Sequence, residues 1–194
     1  VALLNALPYP SVVFDHRWDV MVANPAYDLL FRHVSPHPTA MPGDNLMRFV
    51  LFHPDAALIL GDHEASWCLP TLAHLAQALE EHGQDTVLQA IRRAVARDPI
   101  MEAAYRQGLP HWLRAVGPRA VAHDGPVRPL CHPDPRWGCT QCRLVCGTPR
   151  MLEAPGRRHL AFVLREPPAA RAGRTAPRPR STAGHLRVVP TTET

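Results

Sequence analysis

Residues 14–31 read FDHRWDVMVANPAYDLLF, and the fold turns on this stretch. Two apolar runs, one ending at Phe14 and one beginning at Trp18, flank Asp15-His16-Arg17, the spacing of a β-hairpin reaching from Ser11 to Val22. Asn24-Pro25 follows. Proline is tolerated in the first turn of a helix, where its missing N–H would have had no partner, and an asparagine before it can accept a hydrogen bond from a free helical N–H. Ala26, Leu29, Leu30 and His33 then recur at helical steps until Pro36 and Pro38 end the run.

Downstream, the same rules predict helices for most of the middle of the chain. Asp44 or Asn45 caps a helix bearing Leu46, Met47, Phe49, Val50 and Phe52, and Pro54-Asp55 opens a short one that Gly61 stops. Leu72, Leu75, Ala76 and Leu79 form a helical stripe ended by Gly83, and Val87, Leu88, Ile91 and Val95 repeat it. Asp98-Pro99 heads a helix through Met101 and Tyr105 that is expected to end near Gln107, before Gly108. After Pro118 the texture changes, and 120–122, 127–131, 139–146 and 159–165 read as strands, with 147–156 a turn region. Strands at both ends with helices between are satisfied most simply by an α+β layer, one antiparallel sheet with helices packed on one face.

A chain of 194 residues is long enough for one domain with a real core and a tail. With 46% apolar and 20% charged residues it has the composition of a soluble globular protein, and its 22 prolines imply broken helices and long loops. All the Lys+Arg charge is arginine. The formal net charge of +4 is local: residues 168–194 hold five arginines against one glutamate, so the body is neutral. That Pro-, Ala- and Thr-rich tail has little to bury and is expected to be a disordered, solvated extension more than a nucleic-acid contact. No apolar run is long enough for a membrane span and the first residues lack the pattern of a signal peptide, so the cytoplasm is the expected compartment.

In order and spacing the opening stretch resembles the start of a PAS-type sensor domain. More narrowly, residues 7–166 resemble the MmyB-like ligand-binding domain found behind an XRE-type helix-turn-helix in actinobacterial regulators. The resemblance is carried by Leu7-Pro8, Arg17-Trp18-Asp19, Asn24 with a helix ending at Phe31, Asn45-Leu46-Met47-Arg48 with Phe52 and Pro54, Trp67, Asp98-Pro99, and His132-Pro133 before Gly138. The chain departs from the family at Glu80, where relatives tend to carry an arginine, and at Met101 and Tyr105, where they carry an aromatic pair. What the resemblance implies is a PAS-like domain over 7–167, with 1–6 the end of a linker or upstream helix. That domain would be a non-enzymatic sensor holding a small apolar, fatty-acid-like ligand. DNA would be bound only through an N-terminal domain upstream of Val1, and a homodimer is expected on the same ground.

An apolar sheet face covered by short helices is a usual setting for a small-molecule cavity. Met47, Phe49, Phe52, Met101, Tyr105 and Trp112 are the candidate lining, against plain core as the alternative, and Arg48 is the candidate clamp for a ligand carboxylate. Four of the five cysteines, Cys131, Cys139, Cys142 and Cys146, lie close in sequence, and the spacing of Cys139 and Cys142 suits zinc, with His132 or His159 completing the ligands. On a strand, however, Cys142 and Cys146 share one face and Cys139 takes the other. Free buried thiols are therefore the default, with zinc or a thiol-based redox switch as alternatives. No cofactor is otherwise expected. His53 and Asp62-His63-Glu64 lack the geometry of an acid–base pair, and no phosphate loop, nucleophile elbow or HExxH helix is present, which leaves a small enzyme on a similar fold as the last alternative.

Overall fold

The computed structural model describes residues 2–117, 127–147 and 157–165. The strand expected at 120–122, most of the turn region at 147–156 and the basic tail lie outside the described residues. After a short helix α1 (Ala2–Asn5), the opening stretch forms strands β1 (Ser11–Phe14) and β2 (Val20–Ala23) and helix α2 (Pro25–Leu30). Fully buried Asn24 ties them together. Its side-chain oxygen accepts from Ser11 N–H and caps α2 by accepting from Tyr27 N–H, both at 2.9 Å. Its amide donates to the Leu4, Leu7 and Tyr9 carbonyls. The compactness of the stretch follows from one side chain that satisfies a strand, a helix end and the incoming segment at once.

The hairpin turn is held by Asp15, whose carboxylate accepts from the N–H groups of Arg17 and Asp19 at 2.8 and 3.0 Å. Trp18 takes a left-handed backbone (φ 67°), which turns its indole under the sheet. Asn45 locks this turn to the next helix, α3 (Leu46–Phe52), accepting from Arg48 N–H as the cap and donating to the Arg17 carbonyl and the Asp19 carboxylate.

Helix α4 (Ala56–Ile59) ends where Gly61 meets β3, and a Cβ there would fall 2.8 Å from the Pro129 Cβ. A wide π-helical turn, His63–Cys68, leads into α5 (Leu69–Glu81), followed by α6 (Thr86–Arg97) and α7 (Pro99–Ala103). The helix expected to stop before Gly108 does not stop. It continues through a second π turn, Ala104–Gly108, into α8 (Leu109–Val116), with Gly108 in helical conformation. Leu109 is buried, and burying a leucine outweighs the ~1 kcal/mol that glycine costs a helix.

Strands β3 (Val127–Cys131), β4 (Cys139–Gly147) and β5 (Arg158–Leu164) complete one antiparallel sheet of order β2-β1-β5-β4-β3. The α+β, PAS-like architecture is as the sequence implies. β5 pairs with β1 through Val12 opposite Leu160, which places the hairpin beside strands made more than a hundred residues later. Val12, Phe14, Leu130, Leu144, Leu160 and Phe162 face the helices, and Leu72, Leu75, Leu88 and Ile91 of α5 and α6 are fully buried in the same core.

Candidate functional site

Between the inner face of the sheet and the helices lies an apolar space walled by the rings of Trp18, Phe31, Trp67 and Phe162. Leu46, Val50, Leu60, Leu144 and Leu160 fill the gaps between the rings. Trp67 and Phe162 stack with centroids 6.2 Å apart and planes at 16°, and the Trp67 indole N–H donates to the Pro129 carbonyl at 3.2 Å. The free volume is ≈ 20 Å³, about enough for one water. Three polar side chains reach the space: Thr71, His74 and Arg128. Burial draws the Arg128 guanidinium down to about 10, partly offset by the Cys142 sulfur, so it remains charged at neutral pH; its Cζ lies 5.1 Å from the Trp67 ring centroid.

None of the seven residues expected at the ligand lines this space. Met47 and Phe49 are fully buried in the core, and Phe52, Met101, Tyr105 and Trp112 pack partly buried against it. Arg48 is half-buried on α3. Tyr105 lies under the Arg92 guanidinium, 4.3 Å from its centroid, and Arg92 forms a two-pronged pair with Glu102 at 2.7 and 3.1 Å. That patch braces α6 against α7. The sequence reading missed Trp18, Trp67 and Arg128 as lining residues. For Arg128 a signal existed, because in the strand Val127–Cys131 it falls in phase with the inward Leu130.

A second, polar cleft of ≈ 210 Å³ opens between the hairpin turn and α5, lined by Asp15, His16, Gln77, Glu81, His82 and Arg158 among others. Trp18 and His74 line both spaces, with rings 5.3 Å apart. The cleft's groups are engaged in holding the fold. Asp15 serves the turn, His16 packs on His82 at 4.6 Å, and His16 with Arg17 reaches Asp85 at 3.2 and 2.7 Å. Burial alone would raise the Asp85 carboxyl, but bonds from Leu88 N–H, Arg17, His16 and Val87 N–H outweigh it and hold it at about 2. The described lining offers no serine, threonine or cysteine nucleophile beside a base.

His53 and His63 likewise serve structure, through the Ser35 carbonyl at 3.0 Å and the Val50 carbonyl at 2.8 Å. Burial pushes the neighbouring Cys68 thiol up to about 12, so it stays protonated and unreactive. The four clustered cysteines are not brought together. Cys131 and Cys139 face each other across the β3–β4 ladder, Cα atoms 4.0 Å apart, and are disulfide-bonded. Cys142 and Cys146 lie in the other phase of β4, Cys142 fully buried with its thiol raised to about 12 by burial. Among the described residues no group of three or more His, Cys, Asp or Glu side chains is placed to hold a metal ion. No helix among them is long and apolar enough to cross a membrane.

An antiparallel sheet roofed by short helices, with an apolar space at the seam, defines an α+β ligand-binding domain. The chain belongs to the family of MmyB-like transcription regulator ligand binding domains, whose family model matches residues 1–117. The match runs through α8, and strands β3 to β5 complete the sheet beyond it. No curated protein matches the chain.

Proposed function

We propose that the chain senses a small apolar, fatty-acid-like molecule in the space between sheet and helices and relays its presence to the DNA-reading helices of an XRE-type regulator. The observation that carries this reading is the ring-walled apolar space, in a chain whose family is a regulatory ligand-binding domain. Room for one water makes the described arrangement a closed form. A larger ligand enters only if the roof, the π turn bearing Trp67 and the start of α5, lifts from the sheet. A ligand that binds only the lifted form shifts the balance toward it by its full binding free energy. This gives ligand and conformation the coupling a sensor needs. DNA contact then belongs to another domain of the regulator, in the cytoplasm, and the functional unit is a homodimer.

The test is native mass spectrometry of the purified chain together with thermal melts across a panel of fatty acids and other apolar molecules. A retained adduct, or a melting shift equivalent to about 2.7 kcal/mol at a hundredfold excess over Kd, supports the proposal. No adduct and no shift across the panel would sink it. A second reading, thiol-based redox sensing, is favoured by the Cys131–Cys139 disulfide, which closes the connection between β4 and β3, the strand that carries Arg128 and Leu130.

A further inference from the structure

We propose that Cys139 is a site of thiol–disulfide exchange with a low-molecular-weight thiol, and that Cys131 is the resolving thiol that closes and reopens the bond. The inference rests on the redox reading above and deepens it, naming the sulfur that is attacked and the co-reactant that exchanges with it.

The four cysteines between 131 and 146 are sorted by the sheet into two kinds. Strand alternation turns Cys142, Leu144 and Cys146 of β4 toward the helices and sends Cys139, Gln141, Arg143 and Val145 to the opposite face, where all four are exposed. Cys131 follows the outer phase of β3 with Val127 and Pro129, and is half-buried. His132 N–H donates to the Gly138 carbonyl at 2.8 Å, so the neighbouring Cys131 and Cys139 form a pair that exchanges no backbone bonds, the kind whose facing side chains come closest. Their Cα atoms lie 4.0 Å apart. Among the described residues the ladder with β5 begins at Cys142, so Cys139 has a strand on one side only. The bond therefore sits on the solvent face of the sheet, with Cys139 as its open sulfur.

In the cytoplasm, where the regulator is placed above, small thiols keep cysteine pairs reduced, and a disulfide that does form there is one that cycles. Exposure makes a disulfide exchangeable, and access decides which sulfur is attacked. In the reduced chain the Cys139 thiolate attacks a low-molecular-weight disulfide, forming a mixed disulfide and releasing one small thiolate. The Cys131 thiolate, facing it across the ladder, then attacks the Cys139 sulfur; the mixed bond breaks and the second small thiolate leaves. Two protein thiols are oxidised, one small disulfide is reduced to two thiols, and the two cysteine protons pass to the released thiolates. The reverse sequence opens the bond. Cys68 and Cys142, buried and held protonated, take no part.

The exchange bears on the apolar space because β3 is an edge strand. Away from β4 it is held by the Trp67 indole N–H on the Pro129 carbonyl and by the bridge between Leu60 and Leu130. Pro129 and Leu130 immediately precede Cys131, so the bond fixes the end of the strand on which the roof rests.

The test uses the reduced full chain and oxidised glutathione, with acid quenching and peptide mapping by mass spectrometry. The parent chain should form the Cys131–Cys139 bond and release reduced glutathione. Cys131→Ser, which lacks the resolving thiol, should accumulate glutathione on Cys139, whereas Cys139→Ser should acquire it on Cys131 about tenfold or more slowly. Both variants lack the same bond, and an unmodified Cys142 reports that each is folded. If Cys142 is modified in either variant, the reduced parent chain decides, where iodoacetamide should reach Cys139 before Cys131. No adduct on Cys139, equal rates at the two cysteines or a faster Cys131, in whichever measurement decides, overturns the assignment and leaves the redox reading intact. A reduced parent chain that forms no bond overturns both.

Discussion

Asp85 joins the stretch that decides the fold to the helical layer, and its removal has a calculable cost. Its carboxylate caps α6 by accepting from Val87 and Leu88 N–H at 2.9 and 3.2 Å, and the oxygen that faces the hairpin takes Arg17 and His16. Losing a cap of this kind costs about 1 kcal/mol. A carboxyl held at about 2, against ~3.9 when unfolded, would contribute up to about 2.5 kcal/mol. Arg17 and His16 are 39% and 35% exposed at their side chains, so solvent screens the pair, and about 1 kcal/mol is the realistic share. Asp85→Ala should therefore lose about 2 kcal/mol in urea denaturation at neutral pH. Asp85→Asn, which keeps an equally good cap and removes the charge, should lose about 1 kcal/mol.

The pH dependence has a definite sign. The folded carboxyl is depressed, so its stabilisation is complete above the unfolded value and fades as pH falls through about 4 toward about 2. The gap between the parent chain and Asp85→Asn should thus be full at about pH 6 and shrink by pH 3. An Asp85→Asn chain as stable as the parent at neutral pH, or a gap that does not change with acid, would refute the reasoning.

Other perturbations carry equally definite expectations. Asn24→Ala removes a cap and strands the buried Ser11 N–H and three carbonyls, so it should cost about 3 kcal/mol or more by chemical denaturation, and Asn24→Asp should not rescue it because the carboxylate has no amide donors. Reducing the Cys131–Cys139 bond, or replacing both residues by serine, should cost about 2.5 kcal/mol by closure of its short loop, and a melting temperature indifferent to reductant would contradict the pairing. Cys68 and Cys142, held protonated by burial, should resist alkylation in the native chain and react only on unfolding; rapid native labelling of either would contradict their placement.

The parts of the structure that could be read from sequence are those decided locally. The hairpin, the Asn24 and Asn45 caps and the stripes on α5 and α6 each depend on neighbours a few residues away, and each stands where the residues imply. The alternation that separates Cys142 and Cys146 from Cys139 is also local, and it holds. The lining of the apolar space depends instead on how α3 rolls against the sheet. Leu46 and Val50 line the seam while Met47 and Phe49, equally apolar and as deeply buried, do not, and no pattern within α3 distinguishes them. The two π turns were equally hidden, since Trp67 and Tyr105 lie in segments whose residues suit an α-helix as well. Arg128 was visible as a charge in phase with the apolar Leu130 of its own strand, but which phase of β3 meets the helices was set by the assembled sheet.

Two of the four tryptophans, Trp18 and Trp67, wall the apolar space, and Trp112 and Trp137 do not. This permits a direct measurement: titrate bromine-labelled undecanoate into a chain carrying Trp112→Phe and Trp137→Phe and follow the remaining indole emission, which a bromine quenches only on contact. If the ligand sits between sheet and helices, quenching is saturable and follows the calorimetric binding curve. Binding that leaves the emission of Trp18 and Trp67 unchanged would contradict the account.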